Sequence, residues 1–319
     1  MMIPMLFDRA KALSRISLVV LSFFLLICVS KLYLSHIAYP KSSGIPGLLS
    51  RKNIDYLFIG SSLTRQSYDM KLINEQYKLD AYAATYNSLS PAMAYKILKY
   101  ALEDGKVRVG TVVMEAYPYK LLYSPTAIED VRLFNSAPVK IKQEIVKDMY
   151  EGDHDLLRIY DLVFLADNDY LLSWPLTYKV IEKLSHNGGY LYKNVPGLAR
   201  FNRNIELPVA GNVNQVQYQC YRELADLCKR HKVKIIFIEP FVPKYVQHGR
   251  NYSLSKEAVK HALSGTGSVL YDNDMMNLDN DDPSLFGDDI HLSTKGRELW
   301  SREIMRVIGK GTQTVSPAL

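Results

Sequence analysis

Short apolar runs recur along this chain, separated by longer stretches that have the periodicity of helices. Five runs predict strands: Asp55 to Gly60, part of Ala81 to Ser90, Val109 to Tyr119, Val233 to Phe241 and Ser268 to Asp272. The fourth run, "VKIIFIEPF", is continuous and rich in β-branched residues. Such a run is typical of a strand that is buried on both faces.

Helical patterns lie between these runs. One helix is expected to begin at Pro91 and to be closed by Gly105. A second, Asn214 to Lys232, has apolar residues at helical spacing and basic residues in its last turn. Two more are predicted at about Ser255 to Leu263 and Thr294 to Ile308. The alternation of strand and helix predicts an α/β fold with three layers, α/β/α, around a central parallel sheet.

The alternation breaks between residues 120 and 212. This segment contains apolar helical pieces, many tyrosines and the glycine-containing stretch "SHNGGY". We interpret it as an insertion that forms a cap or lateral wall on a domain spanning residues 55–310, with a C-terminal tail at 311–319.

The N-terminal region contains a long apolar segment. Ile16 to Ser30 is continuously apolar, and adding the residues up to Tyr39 brings it close to the roughly 20 residues that cross a bilayer. Three basic residues precede it, at positions 9, 11 and 15. We therefore predict a cytoplasmic tail (1–15), a single transmembrane anchor (16–39) and a linker (40–54), with the remainder on the extracytoplasmic side. A cleaved signal peptide is the alternative, although no A-x-A-like site follows the segment.

Composition narrows the possible functions. The chain has 319 residues, is 48% hydrophobic and 23% charged, and carries a net charge of +6. These values suit a packed core, and the basic residues form no stripe interleaved with aromatics, so nucleic acid is not an expected partner. Cys220 and Cys228 are predicted to share one helix about 12 Å apart, too far for a disulfide, and to be core residues. No pattern predicts a metal site or a cofactor.

Candidate chemistry begins where the first strand is expected to end. "YLFIGSSLTRQS" places Ser61 and Ser62 between that strand and a probable helix. The carboxyl ends of parallel strands are where ligands bind. A backbone N–H at a helix start favours a developing oxyanion. The alternative is that one serine only caps the helix.

A second stretch gives the serine a possible base. In "LFGDDIHLSTKG", Asp288 and His291 are three residues apart on a turn before the last helix. This spacing lets the carboxylate orient the imidazole, while the imidazole faces a serine from elsewhere. Serine needs such a base because its hydroxyl is a weak nucleophile at neutral pH.

Together these motifs resemble the SGNH (GDSL-like) hydrolase superfamily. Its nucleophile is the serine of Gly-Asp-Ser after strand one, and its other two residues occur as Asp-x-x-His near the C-terminus. The resemblance places Ser62 as nucleophile, His291 as base and Asp288 as the orienting carboxylate. It covers about residues 55–308 apart from the insertion, and it implies the SGNH form of the three-layer fold.

This chain departs from the family at the oxyanion hole. The family supplies a glycine after strand two, where "YNSLSPA" has none, and a Gly-x-Asn block after strand three, where "MEAYPY" has no asparagine. The Ser62 N–H remains, and Asn87 is predicted to donate from its side chain. These departures resemble membrane-anchored relatives, namely the D-alanyl transfer protein of teichoic acid and proteins that assist polysaccharide O-acetylation.

Two further residues are candidate substrate contacts. Glu115 follows the apolar part of the third run and is expected to line the cleft as a contact of the substrate or of the residues that hold it, the alternative being a satisfied strand-end carboxylate. Arg65, three residues after Ser62, is a candidate for contacting an anionic substrate, with an exposed helix arginine as the alternative.

The resemblance implies a membrane-anchored serine acyltransferase or esterase that acts on O-acyl groups of a cell-surface polysaccharide or cell-wall polymer. Its expected partners are that polymer, an acyl donor supplied by a multipass membrane protein, and lipid around the anchor. The alternative, favoured by the missing oxyanion blocks, is a catalytically inactive SGNH-like subunit that binds glycan or acts as a scaffold.

Overall fold

The computed structural model describes residues 14–26, 29, 44–125, 128–153, 194–201 and 212–310. Its centre is one sheet of five parallel strands in the order β2-β1-β3-β4-β5. The strands are β1 (Asn53–Gly60), β2 (Ala81–Thr85), β3 (Arg108–Glu115), β4 (Lys234–Ile238) and β5 (Val269–Tyr271). The predicted parallel sheet is therefore confirmed, with shorter third, fourth and fifth strands than the apolar runs suggested.

Helices occupy the connections between the strands. From residue 44 onward the described α-helices are α1 (Gly44–Leu49), α2 (Ser62–Ser67), α3 (Met70–Tyr77), α4 (Pro91–Glu103), α5 (Val131–Ser136), α6 (Val139–Asp153), α7 (Gln215–Arg230), α8 (Lys244–Gln247), α9 (Arg250–Leu263) and α10 (Thr294–Lys310). Short 3₁₀ turns occur at Pro118–Leu122, Asn273–Met275 and Pro283–Leu285.

The two faces of the sheet bury separate hydrophobic clusters, as the alternation of side chains along a strand requires. Along β1, Leu57 and Ile59 belong to the cluster that includes residues of α1, α4, α6 and α7. Tyr56 and Phe58 point to the other face and belong to the cluster with Trp300 and other residues of α3 and α10. This arrangement gives the three layers, helix on sheet on helix, that the sequence predicted.

Local sequence explains where several helices begin. Pro91 is the first residue of α4, where its missing N–H costs nothing, and the side chain of Ser90 accepts a bond from Met93 N at 3.3 Å. Asn214 caps α7 by accepting from the N–H groups of Val216 and Gln217. Cys220 and Cys228 of α7 are buried free thiols, and burial raises the pKa of each to about 12.

The described part of the predicted insertion packs on the main core. Helices α5 and α6 contribute five buried side chains to the same cluster as the sheet: Leu133, Phe134, Ile141, Ile145 and Met149. This part therefore forms a lateral layer of the domain. The remainder of the insertion, apart from residues 194–201 and 212, lies outside the described residues.

Residues 14–26 of the predicted anchor are helical, and their apolar side chains, Ile16 and Phe23 among them, are exposed. The rest of the predicted span, apart from residue 29, lies outside the described residues. Within the part of the chain that is described, no helix has both the length and the apolar character that crossing a bilayer requires.

The packing of α6 predicts the effect of truncating one side chain. Ile145 is fully buried, so Ile145→Ala should lower the free energy of unfolding by about 2–5 kcal/mol. Urea denaturation of the purified protein measures the change. The matched control is Val139→Ala on the same helix, where the side chain is 69% exposed and the expected change is within about 0.5 kcal/mol. Equal, small losses in both variants would contradict the assignment of α6 to the core.

Candidate active site

The two serines after β1 have different positions. Ser61 is the N-cap of α2, with extended backbone angles (φ −87°, ψ −162°), and its Oγ accepts a hydrogen bond from Leu63 N at 3.2 Å. Ser62 is the first residue of the helix. The capping role that the sequence left open thus belongs to Ser61, and the hydroxyl of Ser62 is available for another contact.

That contact is with His291. Ser62 Oγ and His291 Nε2 are 3.0 Å apart, although the residues are separated by 229 positions in the chain. On the other side of the ring, Nδ1 lies 2.9 Å from Asp288 Oδ2 and 3.1 Å from Oδ1. The structure therefore brings together the three residues that the sequence singled out, in the order hydroxyl, imidazole, carboxylate.

Asp288 is held by its own loop. Its Oδ1 accepts hydrogen bonds from Ile290 N at 2.9 Å and from His291 N at 2.8 Å. Burial acts to raise the pKa of Asp288, but the hydrogen bond and charge of His291 and the two backbone N–H groups outweigh it, so the pKa is lowered from 3.8. The carboxylate is therefore ionised at neutral pH.

An ionised carboxylate can only accept hydrogen bonds, which fixes the histidine tautomer. Nδ1 of His291 must carry the proton that bonds to Asp288, so neutral His291 has its lone pair on Nε2. The hydroxyl of Ser62 then donates to Nε2. This is the direction of proton transfer that general-base activation of a serine needs.

Several contacts that the sequence did not reveal hold the histidine loop in place. Gly287 N donates to His291 O at 2.8 Å, and Phe286 and Leu292 form an antiparallel bridge. Tyr245 of α8 donates its hydroxyl to Asp289 O at 2.9 Å. The loop thus has backbone bonds within itself and a side-chain bond to a neighbouring helix.

A segment of the predicted insertion also contacts this loop. In residues 194–201, Val195 N donates to Thr294 Oγ1 at 2.8 Å and Val195 O accepts from Thr294 N at 2.9 Å, directly at the start of α10. Leu198 N donates to Phe286 O at 2.9 Å. A Cβ on Gly287 would lie 2.3 Å from Val195 Cγ1, so only glycine allows this approach. Nothing in the local sequence of 194–201 marks it as a support for the histidine.

The serine turn also presents a candidate oxyanion donor. Ser62 N is the first N–H of α2, which has no acceptor within the helix, and no described residue accepts from it. An N–H in this position points its dipole toward a negative charge that forms beside Ser62 Oγ.

Asn87, the second predicted donor, follows β2 at the same edge of the sheet. Its backbone N–H donates to Asp130 Oδ2 at 2.8 Å, and its Oδ1 accepts from Arg65 Nη2 at 2.5 Å. Since a guanidinium only donates, the amide oxygen must face Arg65, which leaves the NH₂ group directed elsewhere. Arg65, predicted to contact substrate, therefore contacts Asn87; whether it also touches a substrate stays a prediction.

Asp130 completes this side of the site. Its carboxylate accepts from Arg132 Nε at 2.7 Å as well as from Asn87 N. Burial acts to raise the pKa of Asp130, but the bond and charge of Arg132, the bond from Asn87 and the charge of Arg65 lower it overall. The turn after β2 is thereby tied to the start of α5.

Glu115, the other predicted substrate contact, is buried and bonded to protein groups. The residue is 6% exposed, and its carboxylate accepts from the backbone N–H and hydroxyl groups of Ser61 and Thr64. With four donors already bonded, it is a satisfied carboxylate at the end of β3, the alternative that the sequence left open. It lies beneath the serine turn.

No group of three or more histidine, cysteine, aspartate or glutamate side chains in the described residues is arranged to hold a metal ion.

Comparison with known proteins gives distant likenesses. No protein-family model and no curated protein matches the chain. Among solved structures it is similar to a GDSL-like lipase from Bacteroides thetaiotaomicron VPI-5482, with 10% identity, a TM-score of 0.37, and 82% of this chain and 90% of that chain covered.

Two other solved structures are similar to the same degree. An acetylxylan esterase from Geobacillus stearothermophilus has 13% identity and a TM-score of 0.36, with 81% of this chain and 95% of that chain covered. An α/β hydrolase enzyme from the metagenome of Lake Arreo, Spain, has 9% identity and a TM-score of 0.35, with 82% and 98% covered. Likenesses this distant decide neither fold nor activity, which rest on the chain's own topology and geometry.

The Asp288–His291 contact predicts a titration behaviour. In the folded protein the pKa of Asp288 should lie below 3.8, and replacing the partner in His291→Ala should raise it. Because the folded-state pKa is the lower one, the stability that the carboxylate contributes is present above its unfolded-state pKa and is lost as pH falls through the folded-state pKa. Carbon-13 NMR of the labelled carboxyl measures both values. Identical titration in the two proteins would contradict the contact.

Proposed function

We propose that this chain is a serine O-acyltransferase or esterase of the SGNH kind, anchored in the cell membrane and acting on O-acyl groups of a cell-surface polysaccharide or cell-wall polymer. One observation carries the chemical part of the proposal. Ser62 Oγ lies 3.0 Å from His291 Nε2, and Nδ1 of the same ring lies 2.9 Å from Asp288. This is the arrangement that makes a serine hydroxyl nucleophilic at neutral pH.

In the first half of the reaction Ser62 Oγ attacks the carbonyl carbon of an acyl ester while its proton moves to His291 Nε2. Asp288 keeps the ring oriented and stabilises the imidazolium that forms. The tetrahedral intermediate then collapses, its carbon–oxygen bond to the leaving alcohol breaks, and His291 returns the proton to that alcohol. The acyl group is left on Ser62.

In the second half an acceptor hydroxyl attacks the acyl-serine. His291 removes the proton of this hydroxyl, and the tetrahedral intermediate releases Ser62 Oγ, which regains the proton from the imidazolium. Water as acceptor gives an esterase, and a sugar hydroxyl gives an acyltransferase. Ser62, His291 and Asp288 serve both reactions equally.

The negative oxygen of each tetrahedral intermediate needs donors. The Ser62 N–H is oriented by the start of α2, and the Asn87 amide has its oxygen turned to Arg65, so that its NH₂ group is the free donor of the pair. We assign these two groups as the oxyanion donors. Together they take the place of the glycine after strand two and the asparagine after strand three, which this chain does not have at those positions.

The location and substrate class are supported by the sequence. The apolar segment 16–39, preceded by basic residues, favours an anchor with the domain on the extracytoplasmic side. At the two motifs that supply oxyanion donors in the SGNH family, this chain departs from the family pattern in a way that resembles anchored proteins that modify surface polymers. We propose transfer over hydrolysis because an anchored enzyme stays beside membrane-bound acyl donors, which a multipass membrane partner would supply.

Covalent labelling tests the nucleophile. A serine-directed fluorophosphonate should label the parent at Ser62, and Ser62→Ala should abolish labelling and lower kcat/KM for an activated acetyl ester by at least about a thousandfold. Mass spectrometry of the labelled peptide and steady-state kinetics provide the measurements. Ser264→Ala, at an exposed serine after α9, is the control and should be labelled like the parent.

Labelling that persists in Ser62→Ala would remove Ser62 from the mechanism, and a parent that is not labelled would favour the inactive glycan-binding subunit instead. The polymer itself is tested in cells that carry either the parent or Ser62→Ala. Loss of polymer O-acylation in the Ser62→Ala cells supports transfer, whereas a gain supports hydrolysis. Unchanged acylation, with labelling intact, would overturn the proposed substrate class.

Asn87 gives a separate prediction for the oxyanion hole. Removing one such donor in Asn87→Ala should lower kcat about a hundredfold and leave KM within about threefold, because the bond forms mainly in the transition state. Ester hydrolysis kinetics measure both constants. Asn214→Ala, which removes a helix-capping asparagine elsewhere, is the control expected to keep the parent kcat. A kcat within about threefold of the parent in Asn87→Ala would exclude the amide as a donor.

A further inference from the structure

We infer that Glu115 is a positioning residue that fixes the serine turn for attack and thereby sets the rate of the reaction at Ser62 without touching substrate. The inference rests on the proposed function. Its physical basis is a set of four hydrogen bonds from the turn to one buried carboxylate.

The four bonds come from the two residues that lie on either side of the nucleophile. Glu115 Oε2 accepts from Ser61 N at 2.8 Å, from Thr64 N at 3.1 Å and from Thr64 Oγ1 at 2.7 Å. Oε1 accepts from Ser61 Oγ at 2.8 Å. Hydrogen bonds to an ionised carboxylate are stronger than neutral ones, so the backbone is held on both sides of Ser62.

These bonds also determine which N–H group is left to face a substrate. The neighbouring N–H groups of the turn already have acceptors: those of Ser61 and Thr64 bond to Glu115, that of Leu63 bonds to Ser61 Oγ, and that of Arg65 bonds to Ser61 O. The N–H of Ser62 remains. By binding the N–H groups of Ser61 and Thr64, Glu115 helps to leave the N–H of Ser62 as the one in this turn that bonds to no described residue, beside the reacting oxygen.

The carboxylate is attached to a rigid part of the fold. Glu115 is the last residue of β3, which pairs with β1 on one side and β4 on the other. Its approach to the turn requires glycine at position 60, because a Cβ there would lie 2.0 Å from Thr64 Oγ1 and 2.7 Å from Glu115 Oε2. The absence of a side chain at Gly60 therefore leaves the space in which Thr64 and Glu115 make their hydrogen bond.

A second buried carboxylate offers a comparison. Glu239 follows β4, is 2% exposed, and accepts from Asn273 N at 3.0 Å and from Lys256 Nζ at 3.0 Å, with the Tyr252 hydroxyl as a further donor. None of these donors belongs to the serine turn. Glu239 therefore matches Glu115 in burial and in its place at the end of a strand but has no contact with the nucleophile.

The test compares Glu115→Gln with Glu239→Gln in the full chain. With its amide oxygen at the Oε2 position, glutamine can still accept from Ser61 N and Thr64, but an amide oxygen is a weaker acceptor than a carboxylate oxygen, and the NH₂ group takes the place of the acceptor of the Ser61 hydroxyl, so the turn is held less firmly. We expect Glu115→Gln to lower kcat for an activated acetyl ester, and the rate of fluorophosphonate labelling at Ser62, by about a hundredfold, with KM within about threefold. Glu239→Gln should keep the parent rates when both variants are measured well below their melting temperatures.

The outcomes separate this inference from the proposed function. A parent whose Ser62 does not react with the phosphonate refutes the proposed function. A reactive parent with an equally reactive Glu115→Gln variant, or equal losses in the two glutamine variants, refutes the positioning role alone.

Where Glu115→Gln does not fold, Thr64→Val is the deciding variant, because it removes one hydroxyl bond to Glu115 and keeps the backbone bond. It should lower the labelling rate about tenfold, and Thr64→Ser, which keeps a hydroxyl, should restore most of the loss. A parent-like rate in Thr64→Val would overturn the positioning role.

Discussion

The parallel pairing of β1 with β2 and β3 is the constraint on which this site depends. Parallel strands end at the same edge of a sheet, and the registers Gly60–Thr85 and Ile59–Met114 bring the ends of the three strands level. The serine turn, the Asn87 turn and Glu115 are therefore neighbours in space although they are far apart in sequence. After β1 the chain adds β2 on one side of that strand and then β3 on the other side, so the strand order reverses between β1 and β3. Open α/β sheets bind their ligands at such a point.

His291, the proposed base, is placed at this edge of the sheet by the packing of the C-terminal helix α10. Helix α10 packs Trp300 and Ile304 into the cluster that also receives Phe58 from β1, and the loop before α10 carries Asp288 and His291. Ser301 Oγ accepts from Asp69 N at 2.8 Å, which ties α10 to the start of α3. The histidine and the serine are thus each fixed to the same core, and the bond between them joins two supported loops.

Much of this arrangement could be predicted because it has local signals. Apolar runs identified the strands, and the three triad residues were found because Gly-Ser-Ser and Asp-x-x-His each lie within a few residues of an element boundary. Some boundaries were wrong for a physical reason. The third run continues to Tyr119, but β3 ends at Glu115, and Pro118, which has no N–H to donate to a strand, begins a 3₁₀ turn.

The supports of the site could not be predicted, because each depends on a partner far away in the chain. The role of Glu115 follows from donors 51 and 54 residues earlier, and the contact of Val195 with Thr294 spans 99 residues. The orientation of the Asn87 amide depends on where the Arg65 side chain reaches, 22 positions away. The sequence pattern identifies the candidate catalytic residues. The residues that hold them in place are apparent only from the three-dimensional packing.

The separation of 229 positions between Ser62 and His291 has a consequence for how the protein matures. Four of the five strands precede residue 239, so most of the sheet is available to pair before Asp288 and His291 have left the ribosome. A polypeptide that ends before residue 288 contains Ser62 and Glu115 but has neither the imidazole nor the carboxylate of the site. The three side chains can therefore meet only after residue 291 has been synthesised and its loop has packed beside the serine turn.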